Sequence, residues 1–186
     1  MENNELIDLS LYVDNFSKKE KINRQLWMLC RTLLIKPFSF PVFNGWRCSV
    51  YKMFGAKIGQ NCTIYSSARI WAPWHLELGD NSCIGPEVDF YNQGHIVIGN
   101  HTIISQKSYL CASSHDYKKK DFPLVRKPIF IGNQVWVAAD SFIGPGVTVG
   151  DGAIVSARSA VFDNVDSWTI VRGNPAYLIK ERIIND

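Results

Sequence analysis

The segment IGNQVWVAADSFIGPGVTVGDGAIVSARSAV, residues 131–161, places an aliphatic side chain at every sixth position: Ile131, Val137, Ile143, Val149, Val155 and Val161. Gly132, Gly144 and Gly150 follow three of them. A period of six matches neither the 3.6-residue α-helical turn nor the two-residue alternation of a strand. It fits a short strand and a turn repeated three times per coil, with each aliphatic side chain pointing inward. Roughly eighteen residues then close one triangular coil, and neighbouring coils stack at the sheet spacing of about 4.8 Å.

Upstream, the same spacing runs through Ile58, Ile64 and Ile70, then Leu78, Ile84 and Phe90, then Ile98, Ile104 and Leu110. Gly59, Gly79, Gly85 and Gly99 repeat the glycine signal. The expected coils span 58–75, 78–95, 98–115, 131–148 and 149–166, a mainly β fold built as a parallel β-helix of about five coils. Each step from Ile58 to Leu78 to Ile98 is 20 residues, so the early coils carry two extra residues at one corner. His75, His95 and His115 share the last position of their coils, which predicts three imidazoles stacked along that corner. After His115 the chain leaves in a basic loop, DYKKKDFPLVRKP at 116–128, and re-enters at Ile129.

Composition limits the function. At 186 residues and 46% hydrophobic content the chain suits one domain with an appendage. A formal charge of +3 is compatible with an anionic small molecule and too weak to argue for nucleic acid. Cys30, Cys48, Cys62, Cys83 and Cys111 form no CxxC pair, which reads as reduced thiols in a cytoplasmic protein. The N-terminal residues are acidic and polar, unlike a signal peptide. The apolar stretch from Leu26 is broken by Arg31, Lys36, Pro37 and Pro41, so no spanning helix is expected.

Residues 1–55 follow a different rule. Ile22, Leu26, Leu29 and Leu33 recur at helical spacing from Lys18 to Ile35, ahead of Pro37, and Trp46, Val50 and Phe54 do so over 42–54. Two helices capping the open end of the β-helix are expected, hiding its unpaired edges. A second use for them is peripheral membrane contact through Trp27, Phe38, Phe40, Phe43 and Trp46 with neighbouring Lys and Arg. The organisation expected is a cap at 1–55, a β-helix at 56–170 and a tail at 171–186.

The IGxxxx repeats, the SHDY at 114–117 before the loop, IGNQVWVAADSFIGPGVTVG at 131–150 and the closing VRGNPAYLIKER at 171–182 resemble the hexapeptide-repeat acyltransferases. More narrowly they are similar to the colanic-acid-type exopolysaccharide O-acetyltransferases and the maltose and galactoside acetyltransferases. The resemblance implies a left-handed β-helix assembled as a homotrimer, with acetyl-CoA lying in clefts between subunits and a saccharide acceptor entering from the other end. It makes His115 the catalytic base and the backbone N–H of Ala139 the oxyanion donor. Trp136 and Ala157 then border the cofactor, with Arg158 and Lys180 against its phosphates. Relatives often carry Thr-Lys where this chain has Phe162 and Asp163, which leaves Arg172 as a substitute. On the acceptor side stand Asp89, Tyr91, Asn92 and Asp116. Corner hydrogen bonding is the competing role for Asp89 and Asn92. Lys118, Lys119 and Lys120 read as a solvated run or as a collector of anions.

The chemistry calls for an imidazole independently of the resemblance. A sugar hydroxyl is too weak an acid to attack a thioester unaided, and neutral histidine can take its proton and return it to the leaving thiolate. Three alternatives stand beside an O-acetyltransferase. An N-acetyltransferase on an amino sugar would use the same base and cleft. A hydrase resembling the gamma-class carbonic anhydrases would need three converging histidines; that class has two of them five apart, whereas His95 and His101 are six apart. A non-catalytic scaffold would have no use for His115. No metal is expected.

Overall fold

The computed structural model describes residues 7–185; residues 1–6 of the expected cap and Asp186 of the expected tail lie outside the described residues. The six-residue rhythm becomes three parallel sheets wound around one core. On the first face Ile58, Leu78, Ile98, Ile131 and Val149 align in successive coils. On the second, Ile64, Ile84, Ile104, Val137, Val155 and Val171 align. On the third, Ile70, Phe90, Leu110, Ile143 and Val161 do so. All sixteen residues lie in the buried core, so the expected register holds. A partial sixth turn follows, with Val165 bridging to Val149 and the strand Thr169–Gly173 on the second face. The tail strand Ala176–Glu181 folds back antiparallel onto Thr169–Gly173, so the boundary expected at 170 falls inside this hairpin.

Two corner devices allow such tight winding. Between the first and second faces a left-handed residue turns each coil: Asn61, Asn81, His101 and Gln134 have φ of 52°, 55°, 55° and 57°. His101 is therefore an exposed turn residue. Beside this column stand the glycines of the repeat. A Cβ on Gly79 or Gly99 would come within 2.6 or 2.7 Å of the carbonyl carbon of Gly99 or Gly132 in the next coil, so only glycine lets the corners stack.

The cap uses its helices in an orientation the apolar spacing did not give. Helix α1, Lys18–Cys30, is started by a Ser17–Glu20 capping box and continues as a π turn over Arg31–Ile35. The stripe of Ile22, Leu26, Leu29 and Leu33 points to solvent, with Leu29 57% exposed. The face toward the β-helix carries Arg24, Trp27 and Arg31 instead. Trp27 is fully buried and its indole N–H donates to the Ile70 carbonyl at 2.8 Å. Trp27 therefore leaves the set expected to touch a membrane, whereas Phe40 is exposed and Phe38 packs against Phe43 and Trp46.

Helix α2, Asn44–Met53, follows a 3-10 turn at Pro41–Phe43 and seals the first coil. Asn44 behaves as a substitute strand: its side chain donates to the Cys62 carbonyl at 2.8 Å and accepts from the Ile64 N–H at 3.0 Å. Buried Arg47 donates to the carbonyls of Ile64, Phe38 and Phe40, which satisfies both the guanidinium and the edge it covers. The five cysteines are free thiols. Among the described residues no helix is long and apolar enough to cross a membrane.

Candidate active site

The third coil opens earlier than the sequence pattern suggests. Ser113–His115 already forms the outgoing strand of an antiparallel hairpin that returns through Leu124–Arg126. Ile129 pairs with Ile96, so Pro128, and not His115, takes the corner position above His95. The predicted three-histidine stack is thus a pair: the rings of His75 and His95 lie 4.6 Å apart, and His115 sits out on the hairpin. Burial first, and then the charge of His95, hold His75 below the ordinary histidine pKa. Among the described residues no group of three His, Cys, Asp or Glu side chains is placed to hold a metal ion.

The hairpin fixes the His115 ring. Its Nδ1 lies 2.5 Å from the carbonyl oxygen of Phe122, a residue held at φ 43° in the turn. A carbonyl only accepts, so Nδ1 carries a proton, and in the neutral ring the lone pair is then on Nε2. The Tyr12 ring stands beside the imidazole at 6.2 Å. Asp116 points back into the turn, where its carboxylate accepts from the Lys118 N–H at 3.1 Å.

Of the other acceptor-side residues, Asp89 and Tyr91 share one strand on the third face. Asp89 pairs with Arg69 at 2.7 Å, and the Tyr91 hydroxyl accepts from the Gln93 amide at 2.9 Å. Asn92 is removed from the set: it is fully buried, and its amide both donates to and accepts from the Ala72 backbone at 2.7 and 2.9 Å. Corner hydrogen bonding has won there over ligand contact.

The cofactor-side residues gather elsewhere. Trp136 stands on the second face between Ile103 and Ile154, 47% exposed, its indole N–H on the Ser105 hydroxyl at 2.9 Å. Ala139 lies at the corner where the second face turns into the third. The neighbouring N–H groups of Ala138 and Asp140 bond to the next coils at 2.8 and 2.9 Å, but that of Ala139 finds no acceptor among the described residues. Gln106 and Ala157 occupy the same corner position and are alike in this, which gives the corner a column of unused donors. Arg158, at that corner, is paired with Asp140 at 3.2 Å. Lys180 is exposed on the outer strand, opposite Ile170. In one chain, then, the cofactor-side residues lie on the second face and its corner, and the imidazole hangs from the far edge of the third face.

Sequence reasoning missed the residues that brace the hairpin. Arg126 pairs with Glu20 of α1 at 2.7 Å and stacks on the Phe16 ring at 4.3 Å, and the Asp8 N–H donates to the Lys120 carbonyl at 2.9 Å. Burial pushes the Glu20 carboxyl up, but hydrogen bonds from Ser17 and the Arg126 guanidinium outweigh it and hold its pKa at about 2. The only signal in the sequence was the capping-box pair Ser17 and Glu20.

A parallel β-helix with an extruded hairpin that presents an oriented imidazole, and with a column of unused backbone donors along a separate corner, defines a class of acyl-transfer scaffold. No protein-family model matches the sequence. The chain is 45% identical over 162 residues, 87% of its length and 88% of the relative's, to an Escherichia coli K12 protein provisionally named colanic acid biosynthesis acetyltransferase WcaF. It is 27% identical to the galactoside O-acetyltransferase of the same strain, over 95% of this chain and 76% of that one. The crystal structure of the Vibrio cholerae hexapeptide-repeat acetyltransferase VCA0836 with acetyl coenzyme A shares the fold, with a TM-score of 0.79 at 22% identity over 93% of this chain and 94% of that one. The chain belongs to the hexapeptide-repeat acetyltransferases, proteins of left-handed parallel β-helix fold.

Proposed function

We propose that this protein transfers an acetyl group from acetyl-CoA to a hydroxyl of a saccharide during exopolysaccharide or surface-glycan synthesis, in the cytoplasm, as a homotrimer with its sites between protomers. The observation that carries the reading is the His115 Nδ1 contact to Phe122, which leaves Nε2 free to act as a base. Family membership supports the donor: acetyl-CoA supplies an activated acyl group, and related proteins have been solved with coenzyme A bound. The separation of His115 from the Ala139 corner supports assembly, since a site that uses both takes them from adjacent copies.

His115 Nε2 accepts the acceptor hydroxyl's proton as its oxygen attacks the thioester carbonyl. The Ala139 N–H donates to the carbonyl oxygen as negative charge develops there. The imidazolium then returns the proton to the departing sulfur. Trp136, Ala157 and Lys180 would border the donor. Arg158 is less available, being paired with Asp140.

Mass spectrometry after incubation with acetyl-CoA and a panel of neutral and phosphorylated saccharides tests the reaction. The expected product gains one acetyl group and loses it in mild alkali, as an ester does. An alkali-stable product would mean amide formation and an amino-sugar acceptor, and donor consumption by no panel member would count against the reading.

The exposed stripe of α1 also supports a peripheral membrane position. Ile22, Leu26, Leu29 and Leu33 form an apolar band with Lys18, Lys19 and Lys36 near its ends, complementary to an anionic bilayer. The full chain is expected to float with phosphatidylglycerol-containing vesicles, and a Leu26→Glu, Leu29→Glu variant to stay behind. A wild-type chain that does not float overturns this placement.

A further inference from the structure

The inner face of the cap creates a charged cleft that the proposed mechanism does not use. Two adjoining cavities of about 680 and 360 Å³ lie between α1, its π turn and the third face. Arg24, Arg31, Lys36, Arg69 and Lys107 line them. Two carboxylates, Asp89 and Glu87, oppose these five cations, so the cleft alone carries three net positive charges, the formal charge of the whole chain.

Only part of that charge is neutralised. Asp89 is taken by Arg69 at 2.7 Å, and among the described residues Arg24, Arg31 and Lys36 have no ion pair. Arg24 lies over the Trp71 ring at 4.8 Å. One Arg31 Nη donates to the Ala68 carbonyl at 3.3 Å, while its Nε is buried without a partner. Burial first, and then the charge of Arg31, push the Arg24 pKa down. Two guanidiniums held close, half-covered and without a carboxylate cost free energy that a bound anion would return.

We propose that this cleft binds the phosphate or diphosphate of the acceptor, so that the natural substrate is a phosphate-bearing saccharide and not a neutral sugar. A lone carboxylate carries one charge and leaves most of the surplus unmatched; a phosphate or diphosphate carries two or more and suits bidentate arginine. Tyr91 lines the same cleft and offers a ring face for a pyranose. Side-chain contacts connect the cleft to the hairpin: Trp71 contacts Phe16 at 5.3 Å, and Arg126 of the hairpin stacks on Phe16. The proposal rests on the acetyltransferase reading for its acceptor, and its binding arm can be tested without it.

The test is calorimetric titration of the full-length protein with inorganic pyrophosphate while CoA is held saturating, so that any donor diphosphate site is filled. Saturable binding is expected, weakened about tenfold or more in Arg24→Gln, Arg31→Gln. Lys36→Gln, an exposed change that leaves the Arg31 contacts alone, should weaken it in the same direction if the double variant folds poorly. Absent binding, or binding unchanged in Lys36→Gln and a folded double variant, overturns the site. In the kinetic arm, kcat/KM for a glycosyl phosphate should exceed that for the matching neutral sugar by about tenfold or more. Equal values overturn the substrate class while acetyl transfer stands. Pyrophosphate binding without acetyl transfer to any saccharide supports the anion site and instead sinks the proposed reaction.

Discussion

Replacing His115 by alanine is expected to lower kcat for acetyl transfer by about 100-fold to 10,000-fold, the range a positioned general base supplies. Thermal stability and CoA affinity should stay near wild type. The imidazole is exposed on the hairpin, and among the described residues its one hydrogen bond is to the Phe122 carbonyl. Losing that bond costs on the order of 1 kcal/mol, little beside the catalytic effect. His115→Asn sharpens the test, because an asparagine amide can still donate to Phe122 but offers no basic nitrogen. Asparagine should therefore be as inactive as alanine. Activity within tenfold of wild type in either variant would remove His115 from the role of base.

The β-helix was legible because one constraint writes it: a buried aliphatic every six residues leaves an unbroken column from Ile58 to Val149 on the first face alone. That constraint fails where the chain stops winding. Counting positions carried His115 to the corner, yet the coil had already opened at Ser113, since nothing in CASSH separates a corner from a hairpin strand. The cap shows a different limit. Helical spacing identified α1 but not its inner face, because Trp27 alone fills the core there and Arg24 and Arg31 cover the rest with their stems. Asn92 stood open between ligand contact and corner hydrogen bonding, because burial, which decides between them, leaves no mark in the sequence. The strap from Asp8 to Glu20 was invisible, because single aromatic and ionic contacts to a distant hairpin leave no period to read.

Mixing two inactive chains is expected to restore activity, and the amount restored reports where the site is built. Ala157→Trp should block the donor groove without unfolding the chain, since Ala157 is exposed at the corner. His115→Ala leaves that groove intact and lacks the base. In a ring of three protomers with each site drawn from two neighbours, a site works only when its base comes from an Ala157→Trp chain and its groove from a His115→Ala chain. Random assembly of equal amounts makes that about one half times one half, so co-expressed or co-refolded mixtures should regain about a quarter of wild-type activity. If base and groove came from the same chain, every site in the mixture would keep one defect and no activity would return. The distance in the fold between the His115 hairpin, at the far edge of the third face, and the Ala139 and Ala157 corner is what favours the first outcome.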